Sequence, residues 1–114
     1  MRVKVIDIKR LPIQKLKGLC LPHGAMKSVF KQHKELEGTA FLLINRLKII
    51  GWAFVAVNDC YLHPYNQFGI FVADKFRRQR CGTKLYNEAK KHYTYLNTSP
   101  HDFVSEQFFE KVEQ

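Results

Sequence analysis

Apolar positions along this chain change spacing repeatedly, and each change marks an element. Val3, Val5, Ile6 and Ile8 alternate with charged residues, predicting a strand over residues 2–9 that Leu11-Pro12 ends. Ile13, Leu16, Leu19 and Cys20 fit a short helix over 13–20, stopped before Pro22. Met26, Val29, Phe30, His33 and Leu36 recur at three- and four-residue spacing, with Lys27, Lys31 and Lys34 on the other side. That is an amphipathic helix over 24–37, with Gly38 as its C-terminal glycine. Residues 39–44 and 49–57 are two apolar strands joined by a turn at Asn45-Arg46-Leu47-Lys48. Being apolar nearly throughout, they predict a sheet covered on both faces. Gly51 inside the second of them predicts a bulge or a close backbone approach.

After a loop from Asn58 that turns at His63-Pro64, the strongest pattern begins. Phe68 to Val72 is an apolar run too short for a helix, and the basic turn Arg77-Arg78-Gln79-Arg80 follows, closed by Gly82. From Cys81 the period becomes helical, through Leu85, Ala89 and Tyr93. Strand, basic turn and helix in that order form an anion site, because the first amides of a helix lack internal partners and carry partial positive charge. The expected guest is a phosphate or pyrophosphate. A short strand over Tyr93–Asn97 and a final helix from Asp102 through Phe108 and Phe109 to Val112 complete the order β-α-α-β-β-β-α-(β)-α. The fold class is α/β with a mixed sheet.

Composition narrows this picture only a little. With 114 residues the chain reads as one domain, and its 46% hydrophobic and 25% charged residues are those of a globular protein. No apolar run approaches the roughly 20 residues that span a bilayer, and the charged N-terminus is no signal peptide. Cys20, Cys60 and Cys81 have no framework spacing, so reduced core thiols in a cytoplasmic protein are expected. The formal charge of +9 is concentrated in residues 1–37, with nine Lys/Arg against three acids, and in residues 73–95, with seven against two. Two basic blocks point to an anionic ligand or to an acceptor attached to nucleic acid. Cys60-x-x-His63 offers at most two ligands and the other histidines are scattered, so no metal is expected. Phe41, Trp52, Phe54 and Phe71 have strand periodicity and read as core rather than as base-stacking platforms.

The element order and the run Val72-Ala73-Asp74-Lys75-Phe76-Arg77-Arg78-Gln79-Arg80-Cys81-Gly82-Thr83 resemble the GNAT acyl-CoA N-acyltransferase family, whose signature there is Gln/Arg-x-x-Gly-x-Gly/Ala. Ile49-Ile50-Gly51-Trp52-Ala53 looks like the family's hairpin, and Phe108-Phe109-Glu110-Lys111 like part of its fourth helix. The resemblance implies a minimal version of that fold without its last two strands. It implies acetyl-CoA in a gap between the fourth and fifth strands. The pyrophosphate would lie on the amides of Arg78, Gln79, Arg80, Cys81, Gly82 and Thr83 beside Arg77, and the pantetheine arm along Ile70, Phe71 and Val72. Acetyl transfer to an amine of a protein, small molecule or aminoacyl-tRNA would be by direct attack.

Three departures stand out. Arg80 replaces the motif's first glycine, and is expected to keep φ negative. Phe109 stands where many members carry a tyrosine acid, and Asn66 or Gln67 near the place of a glutamate base; Tyr61, His63, Tyr65 and Tyr93 are the substitutes to weigh. The final strands, which in this fold help wall the acceptor, are missing, and a neighbouring chain in a homodimer is one way to replace them. The resemblance therefore leaves three readings open: an N-acetyltransferase, a catalytically degenerate module that binds CoA or a protein partner, and a small basic nucleic-acid-binding domain.

Overall fold

A computed structural model describes residues 1–19, 25–58, 65–76 and 80–98; for residues 25–28, 58, 65, 74, 97 and 98 it describes the backbone. Strands β1 (Arg2–Asp7), β2 (Glu37–Asn45), β3 (Lys48–Asn58), β4 (Tyr65–Val72) and β5 (Asn97–Thr98) form one sheet in chain order. The first four are antiparallel neighbours, and β5 runs parallel to β4. Helices α1 (Ile13–Lys17) and α2 (Ala25–Gln32) link β1 to β2, and α3 (Cys81–His92) links β4 to β5. The predicted final helix, Cys20, Cys60, Tyr61, His63 and Arg77 to Gln79 lie outside the described residues.

Both faces of the sheet are covered, as the apolar strands require. On one, Phe41, Leu43, Val55, Phe68 and Val72 pack against Cys81, Leu85, Tyr86 and Ala89 of α3. On the other, Leu42, Trp52 and Phe54 meet Ile8, Leu11, Leu16, Val29 and Phe30 from the β1–β2 connection. Alternation in β3 sends Ala53 and Val55 one way and Trp52 and Phe54 the other. Trp52, Phe41 and Phe54 are fully buried, each contributing about 2–3 kcal/mol by removal from water.

The bulge that Gly51 announces is present. Leu43 faces Gly51 while Ile44 faces Ile49, leaving Ile50 as the extra residue on β3. It reverses the alternation, so Ile50 joins the α3 face and Ile49 the opposite one. A Cβ on Gly51 would stand 2.9 Å from the carbonyl oxygen of Phe71.

Several boundaries differ from the sequence reading. β1 ends at Asp7 because the Asp7 carboxylate accepts the amide of Lys9 and starts a 3₁₀ turn, Ile8–Arg10. The long amphipathic helix is split into α2 and a 3₁₀ turn, His33–Glu35, with Leu36 already extended. Gly38 is no helix cap: it sits in β2 opposite Ala56, at φ +145°, where a Cβ would come within 1.9 Å of the Val55 carbonyl oxygen. The hairpin loop is two residues, not four, since Asn45 pairs with Lys48. Arg46 and Leu47 both have positive φ, the combination that matches the twist of a tight hairpin. The last strand is Asn97–Thr98 rather than 93–97, because Tyr93 caps α3 through its amide to the Ala89 carbonyl.

Candidate acyl-CoA site

β4 and the start of α3 meet at the end of the sheet where β4 finishes. The amide of Ala73 donates to the Ile50 carbonyl at 2.8 Å, and a 3₁₀ turn, Asp74–Phe76, follows. Bonding alternates along an antiparallel pair. The Ala73–Ile50 bond therefore turns Phe71 and Gly69 toward β3, and the backbone groups of Ile70 and Val72 toward the opposite edge. The described residues of β5 pair there with Gln67 and Phe68. Among the described residues no strand lies beside Ile70. Side chains in this half of β4 go to the core: Val72 and Ile70 toward α3, Phe71 toward the other face.

α3 opens without a side-chain cap and without an acidic residue in its first turn. Its intrahelical bonding starts with the Lys84 amide to the Arg80 carbonyl at 3.1 Å. The amides of Gly82 and Thr83 are thus first-turn donors with no helical acceptor. Arg80 precedes them at φ 59°, ψ 23°, in the left-handed region, and its side chain is exposed. This corrects the expectation of a negative φ. The backbone keeps the conformation a glycine would take there, at a cost of about 1–2 kcal/mol for a residue with a Cβ. A left-handed residue running into a helix turns successive amides to one side, forming a concave nest for an anion.

The side chains around the turn divide into core and rim. Cys81 is a buried free cysteine under the first turn of α3, and burial pushes its thiol above its ordinary range, with Lys84 and the terminal amine opposing. It is a packing residue, not a thiolate. Lys84 donates to the Met1 carbonyl at 2.9 Å, and the Cys81 thiol lies 3.6 Å from the Met1 sulfur, tying the chain start to α3. Nothing in the sequence signals that link across more than eighty positions. Lys75 lies 5.2 Å from the ring centre of Phe76.

Of the candidate proton-transfer residues, Tyr93 is described in full. Its hydroxyl lies 2.6 Å from the Thr39 hydroxyl, at the far end of α3 from Arg80, about 18 Å along the helix. Tyr65 begins β4 opposite Asn58. Asn66 donates its amide to the Tyr95 carbonyl at 2.9 Å. Among the described residues no three His, Cys, Asp or Glu side chains come together to hold a metal ion.

Comparison of the whole architecture with solved structures decides the fold. An aminoglycoside acetyltransferase from an uncultured soil metagenomic sample, in complex with sisomicin, superposes with a TM-score of 0.75 at 17% identity, over 99% of this chain and 87% of that one. The fold is that of the GNAT acetyltransferases. The aminoglycoside N-acetyltransferase AAC(6')-Iy in complex with CoA matches with a TM-score of 0.66 at 18% identity, over 97% and 89% of the two chains. Glucosamine-6-phosphate N-acetyltransferase from Arabidopsis thaliana matches with a TM-score of 0.67 at 15% identity, over 100% and 92%. No family model matches the chain, and no curated protein matches it in sequence. In this GNAT fold, the outward backbone groups of Ile70 and Val72 and the uncapped start of α3 lie at the same end of the sheet. No helix among the described residues is long and apolar enough to cross a membrane.

Proposed function

We propose that this chain is an acetyl-CoA-dependent N-acetyltransferase. The observation that carries the reading is Arg80, a non-glycine residue held at φ 59° directly before an uncapped helix whose first turn contains no acidic residue. A left-handed arginine is kept against its intrinsic preference, which favours a backbone shaped for an anion.

On this reading the amides of Gly82 and Thr83, with the turn residues Arg77, Arg78, Gln79, Arg80 and Cys81, hold the pyrophosphate. The Ile70–Phe71–Val72 segment orients the pantetheine arm through its outward backbone groups. Acetyl-CoA supplies an activated acyl group, which an acceptor amine takes as the carbon–sulfur bond breaks and CoA leaves as the thiol. The Ile70 amide, facing away from β3, is the backbone donor placed to stabilise charge on the acyl oxygen, a contribution typically of about 3–4 kcal/mol. The Phe71 amide is turned toward β3 and is not available for this. No side chain is assigned as acid or base; proximity alone supplies roughly 7–11 kcal/mol in well-oriented sites.

A module that binds CoA without turnover is the second reading, favoured by Asn66 near the usual base position with its amide committed to the Tyr95 carbonyl. Thermal unfolding with acetyl-CoA tests the common part, and CoA release with a panel of amines separates the two. Stabilisation following RT ln(1 + [L]/Kd) is expected. No shift at millimolar acetyl-CoA would overturn both.

A further inference from the structure

Residues 8–34 contain seven Lys/Arg and no Asp or Glu. The fold gathers the described residues of this stretch on one side of the sheet, where Ile8, Leu11, Leu16, Val29 and Phe30 turn inward. Arg10, Lys15, Lys17, Lys31 and Lys34 are left exposed. The ion pairs of the described residues are Lys9–Glu37 on this side, and Lys91–Glu88 and His92–Glu88 on α3. Among the described residues none of the five exposed cations is in an ion pair, nor are the carboxylates of Asp7 and Glu35 on this side. Beneath this surface, Phe30 of α2 stacks on Trp52 at 5.3 Å, and Trp52 is the β3 partner of Phe71 on β4.

We propose that the side of the sheet covered by α1 and α2 is a nucleic-acid-binding surface that delivers the acceptor amine on an RNA chain. The acceptor role rests on the acetyltransferase reading; the binding role does not. Five cations, unpaired among the described residues and spread over two helices and two 3₁₀ turns, exceed what one phosphate monoester can engage, and match the repeated charge of a phosphate backbone. Their sign also opposes a polycationic amino sugar, the kind of ligand bound in the sisomicin complex. Among amines attached to nucleic acid, the exocyclic amines of the bases are conjugated into their rings and are poor nucleophiles. The aliphatic amine of an aminoacyl ester at an RNA terminus is a good one.

The test uses the full chain and a short end-labelled RNA duplex. Affinity is expected to fall roughly a hundredfold between about 50 and 200 mM salt, as four or so phosphate contacts require. The double variant K15E/K31E should weaken binding by at least about tenfold and reduce the salt slope by about 2, one per phosphate contact. The control K90E/K91E carries the same charge change on α3 and should weaken binding by roughly threefold or less. Equal losses in both variants would reduce the effect to net charge and overturn the surface, as would no RNA binding at low salt. Acetyl-CoA should stabilise K15E/K31E as much as the parent. No stabilisation of either, with RNA binding as described, would remove the acetyltransferase reading and leave the surface standing. CoA release with an aminoacylated RNA and none with sisomicin is the expected turnover; the reverse overturns the acceptor assignment.

Discussion

Gly38 lies so close to Val55 that a single added carbon would sit 1.9 Å from the Val55 carbonyl oxygen, inside any permitted contact. Both residues belong to the central β2–β3 pair, where the obstructing atom is backbone. The φ of +145° adds strain for any other residue. Gly38→Ala is therefore expected to destabilise the fold by about 3 kcal/mol or more. Urea unfolding checks it; a loss below about 1 kcal/mol would mean the sheet yields there.

Arg80 supplies the opposite case. Its left-handed φ costs about 1–2 kcal/mol that glycine does not incur. Arg80→Gly should raise stability by about 1 kcal/mol, while Arg80→Val, β-branched and stiffer, should lower it by a similar amount. Because the proposed phosphate contacts are mostly backbone, Arg80→Gly should keep the stabilisation by acetyl-CoA. Its loss in R80G would mean that the guanidinium, not the nest, holds the ligand.

The Tyr93–Thr39 hydrogen bond makes Tyr93 a packing residue. Tyr93→Phe should cost about 1 kcal/mol in unfolding free energy and leave turnover within roughly twofold. A fall of about 10² or more in turnover at unchanged stability would make it the missing proton donor instead.

Cys81 gives a pH dependence with a definite sign. Its thiol is raised by burial, so the folded state holds its proton more tightly than the unfolded chain. Its contribution is complete below the unfolded thiol value, about 8.5, and is lost as pH rises through the folded value. Stability should therefore fall on the alkaline side, and Cys81→Ser should flatten that fall. Alkylation of Cys81 should follow unfolding, not the exposure of a native thiolate; fast modification of the folded chain near neutral pH would contradict its burial.

The strands, the hairpin, the bulge at Gly51 and the basic strand–turn–helix were legible because each is written in local spacing. What the sequence concealed was decided by partners distant along the chain. Gly38 carries the local signature of a helix end, yet pairing with Ala56 draws it into the sheet. Arg80 has no intrinsic reason to be left-handed, and only the join between β4 and α3 makes it so. Thr39 is separated from Tyr93 by fifty-four positions, and neither residue announces the other. The pattern that suggests a strand over 93–97 is weak, and pairing with Gln67 and Phe68 sets the strand at Asn97–Thr98 instead.

The uncapped start of α3 has a genetic consequence. The proposed site, built from the amides of Ile70, Gly82 and Thr83, would leave almost no trace in side-chain identity, so codons there could drift while the recognising atoms stayed in place. A conventional alanine scan would score these positions as tolerant and miss the site. Proline at Thr83, which deletes an amide donor and is tolerated in a helix's first turn, would expose it.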